Sequence, residues 1–254
     1  MQAAERRVSA RPSTPPSLLP SIGARLTGLD WAALEAQLDE RGYARTPPLL
    51  TDEECGALVG LYGEERRFRS RVDMARYRFG VGEYQYFASP LPGPVAALRA
   101  HAYPHLAAIA NRWESALGAP ARYPADLAAF LRVCAEQGQT KPTPLLLSYK
   151  AGGYNCLHQD LYGAVAFPLQ MTWALSRRGV DFEGGESLLV EQRPRAQSRG
   201  EVIALEQGEA LIFPTHHRPV RGASGFHRVA MRHGVSRIHS GERYTLGVIF
   251  HDAA

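Results

Sequence analysis

The chain has 254 residues and lacks any apolar run approaching the length that a bilayer-spanning helix needs, so a helical membrane protein is not expected. Cysteine is scarce. Cys55, Cys134 and Cys156 are scattered and odd in number, which points away from a disulfide framework or a Cys-rich zinc site and toward a reducing cytoplasm. Lysine is nearly absent, with two against 27 arginines, so local richness in arginine is partly a habit of composition. The first 28 residues carry four prolines but no continuous apolar stretch, and do not read as a secretory signal. The formal charge of +4 decides little, because Arg6, Arg7, Arg11 and Arg25 against Glu5 place most of it in that same segment. No internal repeat is visible. What is present is 45% hydrophobic residues, enough for one sizeable core.

Residues 1–28 are expected to be a disordered, basic, Pro/Ser-rich tail. Residues 29–143 read as helical support. Asp30 caps a helix that Gly42 stops, Thr51 and Glu54 form a capping box, and residues 94–117 bury Leu98, Leu106, Ile109 and Trp113. From Pro144 the period shortens, and residues 144–254 read as short strands with turn signals about every ten residues. Residues 202–205 and 210–213 are expected to form a hairpin about Gln207-Gly208, and residues 187–190 to pair on after the Gly184-Gly185 turn. The fold class is thus α+β: a double-stranded β-helix, or jelly roll, with helices on one outer face, and residues 29–254 as one unit.

The chemistry concentrates at His158 and Asp160. On a strand, residues two apart share a face, so this pair offers one nitrogen and one carboxylate oxygen to a single metal. A third ligand must come from further on, giving a 2-His-1-carboxylate set with open positions. Two histidines qualify by spacing, since both His233 and His227 precede an arginine by ten residues. His233 is preferred because a turn at Ser240-Gly241 is expected to lay it beside Arg243 on adjacent strands, with Thr245 on the same face as that arginine. His227 is the alternative. His216, His217, His239 and His251 read as surface or structural.

These motifs, with residues 154–163, 191–199, 233–236 and 249–253, resemble a bacterial family of 2-oxoglutarate/Fe(II) oxygenases with a prolyl-4-hydroxylase-like core, one described as acting on damaged DNA. The likeness covers about residues 29–254. It implies that Arg243 grips the distal carboxylate of 2-oxoglutarate through its planar fork, that Thr245 assists, and that Tyr149 and Asn155 lie near the co-substrate. Fe(II), 2-oxoglutarate and O2 are then the cofactor and co-substrates, and oxidative decarboxylation to succinate drives hydroxylation or oxidative demethylation. AlkB-type dealkylases place a second arginine six residues after the first; here that position is Ile249.

Three substrate classes stay open: damaged or single-stranded nucleic acid, a prolyl or other protein side chain, and a small molecule. A non-catalytic metal- or ligand-binding jelly roll is the reading from another class. Residues 66–79 hold six arginines against Asp73 and run on to Tyr84, Tyr86 and Phe87, a pairing of phosphate-binding and stacking groups suited to nucleic acid or a substrate lid. Arg69 and Arg71 there, and Arg193 and Arg195 in the later loop, are the candidate substrate contacts.

Overall fold

The computed structural model describes residues 20–161 and 163–254. The helix caps form as the sequence dictates. Helix α2 (Trp31–Arg41) begins where the Asp30 carboxylate accepts from the Ala33 N–H, and ends at Gly42 in the left-handed conformation that glycine tolerates best. Helix α3 (Asp52–Gly60) carries the full Thr51/Glu54 capping box. Helix α4 (Gly93–Ala116) is the longest and buries Leu98, Leu106, Ile109 and Trp113.

Two helices were not expected. Helix α5 (Leu127–Glu136) packs Phe130 and Cys134 inward. Helix α1 (Ile22–Thr27) lies in the stretch read as a disordered tail, of which residues 1–19 fall outside the described residues. Six residues are too few to hold a helix alone; here Leu26 is buried against the core and Arg25 pairs with Glu54 at 2.6 Å.

The strands in chain order are β1 (Ala44–Arg45), β2 (Phe68–Asp73), β3 (Gly80–Val81), β4 (Glu83–Phe87), β5 (Leu145–Lys150), β6 (Tyr154–His158) and β7 (Leu169–Ala174). They continue with β8 (Phe182–Gly184), β9 (Ser187–Gln192), β10 (Arg199–Ile203), β11 (Ala210–Pro214), β12 (His217–Gly222), β13 (Gly225–Val235) and β14 (Ile238–Val248). A large sheet runs β1-β11-β7-β14-β5-β4-β2, with β8 added on β14. A small sheet runs β10-β9-β13-β6-β3, with β12 added on β13. All named strand pairs are antiparallel, and the two sheets form the double-stranded β-helix expected, with the α4 layer against the large one.

The jelly roll is as anticipated, but its local pairings are not. β10 joins β9 in the small sheet while β11 joins β7 in the large, so residues 202–213 are a crossover and not a hairpin. The Gly184-Gly185 turn likewise separates β8, on the large sheet, from β9, on the small. β13 and β14 also lie in different sheets. The chain crosses at Ser236-Arg237, and Ser240-Gly241 sits inside β14, paired with β8. Turn residues mark where a chain bends; whether it returns to the same sheet is set by which apolar faces must close over the core.

The region read as helical support also departs from expectation. β2 and β4 extend the large sheet through β4–β5 pairing, and β3 extends the small one beside β6. Residues 66–87 are therefore part of the barrel wall.

Candidate metal and co-substrate site

β6 ends at His158, and Asp160 lies just beyond it, so strand alternation is not what brings the two together. The loop does so, held by the Asp160 N–H donating to the Thr215 carbonyl at 3.2 Å. His233 on β13 is the register partner of His158, which places the two imidazoles 4.1 Å apart. His233 Nε2 lies 3.1 Å from one Asp160 oxygen, and His158 Nε2 3.6 Å from the other. One donor atom from each residue falls within a 4.8 Å span, a group that could hold a metal ion with bonds of about 2.1 Å. His158 Nδ1 sits 2.8 Å from the Cys156 carbonyl, which fixes the tautomer with Nε2 bare toward the cluster. His227 lies six residues up β13, about 20 Å from His233 at strand rise, and does not join them.

The electrostatics suit ligation. Burial, and then the neighbouring His233, push the His158 pKa below its ordinary value, so the ring stays neutral with a lone pair to offer. Burial alone would raise Asp160; His233, His158 and Gln170 outweigh it and hold the carboxylate at about 2.

Opposite this cluster, β14 of the large sheet supplies Arg243 and Thr245. Arg243 is 5% exposed, donates from Nη1 to Thr245 Oγ1 at 2.8 Å, and lies over the rings of Tyr149 and Phe182 at 5.8 and 5.9 Å. Burial pulls its pKa down. Among the described residues no carboxylate pairs with it. An unpaired buried guanidinium is costly, so the position fits an incoming anion with two coplanar oxygens. Tyr149 is fully buried, which raises its hydroxyl pKa to about 12, and that hydroxyl accepts from Asn155 Nδ2 at 3.3 Å. All seven residues line one cavity of about 480 Å³ between the sheets. The donor set fits Fe(II), and Arg243 with Thr245 fits the far carboxylate of 2-oxoglutarate.

The four arginines expected to meet substrate lie outside the cavity wall. Arg69 donates to the Pro142 carbonyl and covers the Tyr86 ring, Arg71 pairs with Glu83, Arg193 pairs with Glu191, and Arg195 adopts a left-handed backbone in the β9–β10 loop. Arg78 and Phe79 of the same basic segment do line the cavity, as does Gln170 on β7. The signal for Gln170 was a lone amide inside an apolar strand. Nothing in the sequence separated Arg78 from its five neighbouring arginines.

A sequence family described as "Oxygenase, catalysing oxidative methylation of damaged DNA" matches residues 82–253. The uncharacterised protein Rv2227 of Mycobacterium tuberculosis is 49% identical over 168 residues, which cover 66% of this chain and 72% of that protein. Among solved structures, an oxidoreductase of the 2OG-Fe(II) oxygenase family from Burkholderia pseudomallei aligns with a TM-score of 0.54 at 15% identity, over 89% of this chain and 94% of its own. The non-heme alpha ketoglutarate dependent epimerase SnoN of nogalamycin biosynthesis aligns with a TM-score of 0.50 at 17% identity, over 86% of this chain and 81% of its own. At such identities the two structures establish a shared fold. Among the described residues no helix is long and apolar enough to cross a membrane.

Proposed function

The chain belongs to the oxygenase family described as acting on damaged DNA and is a 2-oxoglutarate/Fe(II) oxygenase, and on that footing we propose that His158, Asp160 and His233 hold the iron while Arg243 and Thr245 hold the co-substrate. The observation that carries this reading is the facing arrangement across one cavity. Three converging donors stand on one side, and a buried arginine without a carboxylate stands on the other. Fe(II) and 2-oxoglutarate, when bound, supply with O2 the oxidant that hydroxylates a substrate C–H bond, the co-substrate leaving as succinate and CO2.

The protein's part is orientation and exclusion of water. His158 enters as a neutral donor whose ring the Cys156 carbonyl keeps from turning. Asp160 remains ionised and is steadied through its backbone by Thr215. Arg243 fixes one end of 2-oxoglutarate by a bidentate pair, and the buried Tyr149 and Phe182 rings keep that pair dry, where it is strongest. The Tyr149 hydroxyl on the large sheet and Asn155 facing it on the small one give the co-substrate polar contacts from both walls.

For the substrate we propose damaged nucleic acid. The family description points there, and the arginine- and aromatic-rich segment at the cavity wall supports it. The direction of carbon transfer follows from the chemistry: hydroxylation of a methyl on a base nitrogen gives a hydroxymethyl that leaves as formaldehyde, so the net change is demethylation. Three free cysteines suit a cytoplasmic setting.

Anaerobic titration of the metal-free protein with Fe(II) and 2-oxoglutarate tests the site. The visible charge-transfer band of the chelate is expected in the wild type, lost in His233→Ala, weakened in Arg243→Ala and retained in His227→Ala. No band in the folded wild type would overturn the reading. Succinate release stimulated by a prolyl peptide but not by methylated single-stranded DNA would move the substrate to protein.

A further inference from the structure

We propose that Phe79 and Arg78 form a jaw at the cavity mouth that receives an unstacked base: the Phe79 ring takes the base face, and Arg78 pairs with a flanking phosphate. This rests on the nucleic-acid reading above and goes beyond it, assigning residues and a posture to the substrate.

An enzyme acting on a base must take that base out of its stack, and an unstacked base needs a replacement π-surface. Several aromatic rings line the cavity, and most of their faces are already covered. Tyr86 lies under the Arg69 guanidinium at 4.5 Å and meets Tyr84 edge-on at 5.4 Å, while Phe213 lies against His233 at 4.8 Å. Phe79 differs. One of its faces stacks with Tyr77 at 5.5 Å and 20°, yet it remains 47% exposed although it lines the cavity, and Tyr77, outside the lining, is 59% exposed. Two large aromatics standing together in water are an unusual surface for which a stacked partner would remove apolar area from solvent.

Charge points the same way. Among the described residues, Arg78 and Arg243 are the two arginines of the cavity wall, and Asp160 is its sole carboxylate. With Arg243 committed to 2-oxoglutarate and Asp160 to the metal, Arg78 is left facing the substrate space, and among the described residues no carboxylate pairs with it. Its backbone, at φ 59°, caps the short 3-10 turn Met74–Tyr77 in the left-handed conformation and leads directly into Phe79.

The jaw is also anchored to the catalytic strand. The Phe79 carbonyl accepts from the Cys156 N–H at 2.8 Å, the Phe79 N–H donates to the Met74 carbonyl, and Gly80 pairs with Asn155. At Gly80 a Cβ would strike the Tyr154 carbonyl, so the close approach of β3 to β6 depends on glycine. A base resting on Phe79 is thereby set at a fixed offset from His158, two residues after Cys156.

The test uses the full chain with Mn(II) in place of Fe(II) and with 2-oxoglutarate, so that nothing turns over. The probe is a fluorescein-labelled single-stranded oligodeoxynucleotide carrying one 2-aminopurine. Anisotropy reads affinity, and 2-aminopurine emission reads unstacking and restacking. Phe79→Ala is expected to weaken binding about ten-fold and to abolish the emission change, with Phe79→Trp restoring both. Arg78→Ala is expected to lower the log–log salt slope by about 0.7, with Arg78→Lys retaining it. A preserved Fe(II)–2-oxoglutarate band in each variant establishes that it is folded. Wild-type binding that neither alanine variant changes would overturn the jaw and leave the nucleic-acid reading standing. A wild type that forms the chelate but does not bind the oligonucleotide would overturn both.

Discussion

The two sheets that enclose the cavity differ in what covers them. The large sheet is buried on both faces. Leu169, Met171, Trp173, Ala210, Ile212, Leu246 and Val248 share one core with Leu98 and Leu106 of α4, while Leu211, Phe213 and Ala174 pack toward the small sheet with Leu189 and Met231. Its strands β7 and β11 are buried almost throughout. The small sheet meets the protein on one face only, and β6, β10 and the outer half of β13 are largely exposed or half-buried. Yet the three converging side chains proposed as metal donors belong to β13 and to the end of β6 with the loop after it, while the large sheet carries Arg243, the proposed anchor. Stability and chemistry thus reside mainly on opposite walls: a doubly covered sheet holds a thinner one against the substrate.

The strongest way to break that contrast is to open a cavity in the thick wall. Trp173 is fully buried in the large sheet, and Trp173→Ala is expected to cost about 3–5 kcal/mol in urea unfolding. Val202 on β10 stands 70% exposed in the small sheet, and Val202→Ala should stay within about 0.5 kcal/mol. Equal losses at the two positions would mean that the small sheet carries the core as much as the large one does.

Acid should distinguish the walls less sharply. His251, which follows β14, is 0% exposed and accepts the Phe167 N–H at Nδ1 over 3.1 Å. Burial, with Arg99 nearby, holds its pKa at about 4 against an ordinary 6.5. The unfolded chain therefore binds the proton first. Stability from this residue is complete above about pH 6.5 and falls by about 3 kcal/mol as pH drops to about 4. His217 on β12 is held at about 4 by burial and by His216, but it is only half-buried, so solvent screens its share. Unfolding measured from pH 7 to 4 should accordingly flatten more in His251→Asn than in His217→Asn.

The same difference in cover explains what could be read from the sequence. A strand buried on both faces shows as a continuous apolar run, and residues 145–147 and 210–213 were legible for that reason; residues 167–175 were legible as a mostly apolar stretch despite Gln170 and Thr172. A strand buried on one face, interrupted by polar residues, is faint; β6 was found through His158 and Asp160, not through hydrophobicity. The three side chains proposed as metal donors, and Arg243, could be singled out because the chemistry proposed for them restricts both residue type and spacing. The pairing was not. Gln207-Gly208 and Ser240-Gly241 are sound turn signals, but the choice between hairpin and crossover depends on contacts between distant strands, such as β11 with β7 and β14 with β5. Helix α1 was missed for a related cause, since its stability comes from Leu26 meeting α4 and not from its own six residues. Arg78 and Phe79 were hidden in a run of similar residues, and only the folded chain shows that these two line the cavity.

The smallest change in stability is expected where the chemistry changes most. The His158 side chain is 35% exposed, and its Nδ1 bonds a carbonyl two residues away on its own strand. His158→Ala should therefore shift the unfolding free energy by no more than about 0.5 kcal/mol. Succinate production should fall at least about 100-fold, because a two-ligand site neither retains nor orients the metal. A large loss of stability without added metal would show that the imidazole packs the small sheet as well as serving the site. Unchanged stability with lost turnover would show that the thin wall is free to carry ligands because the thick wall already holds the fold.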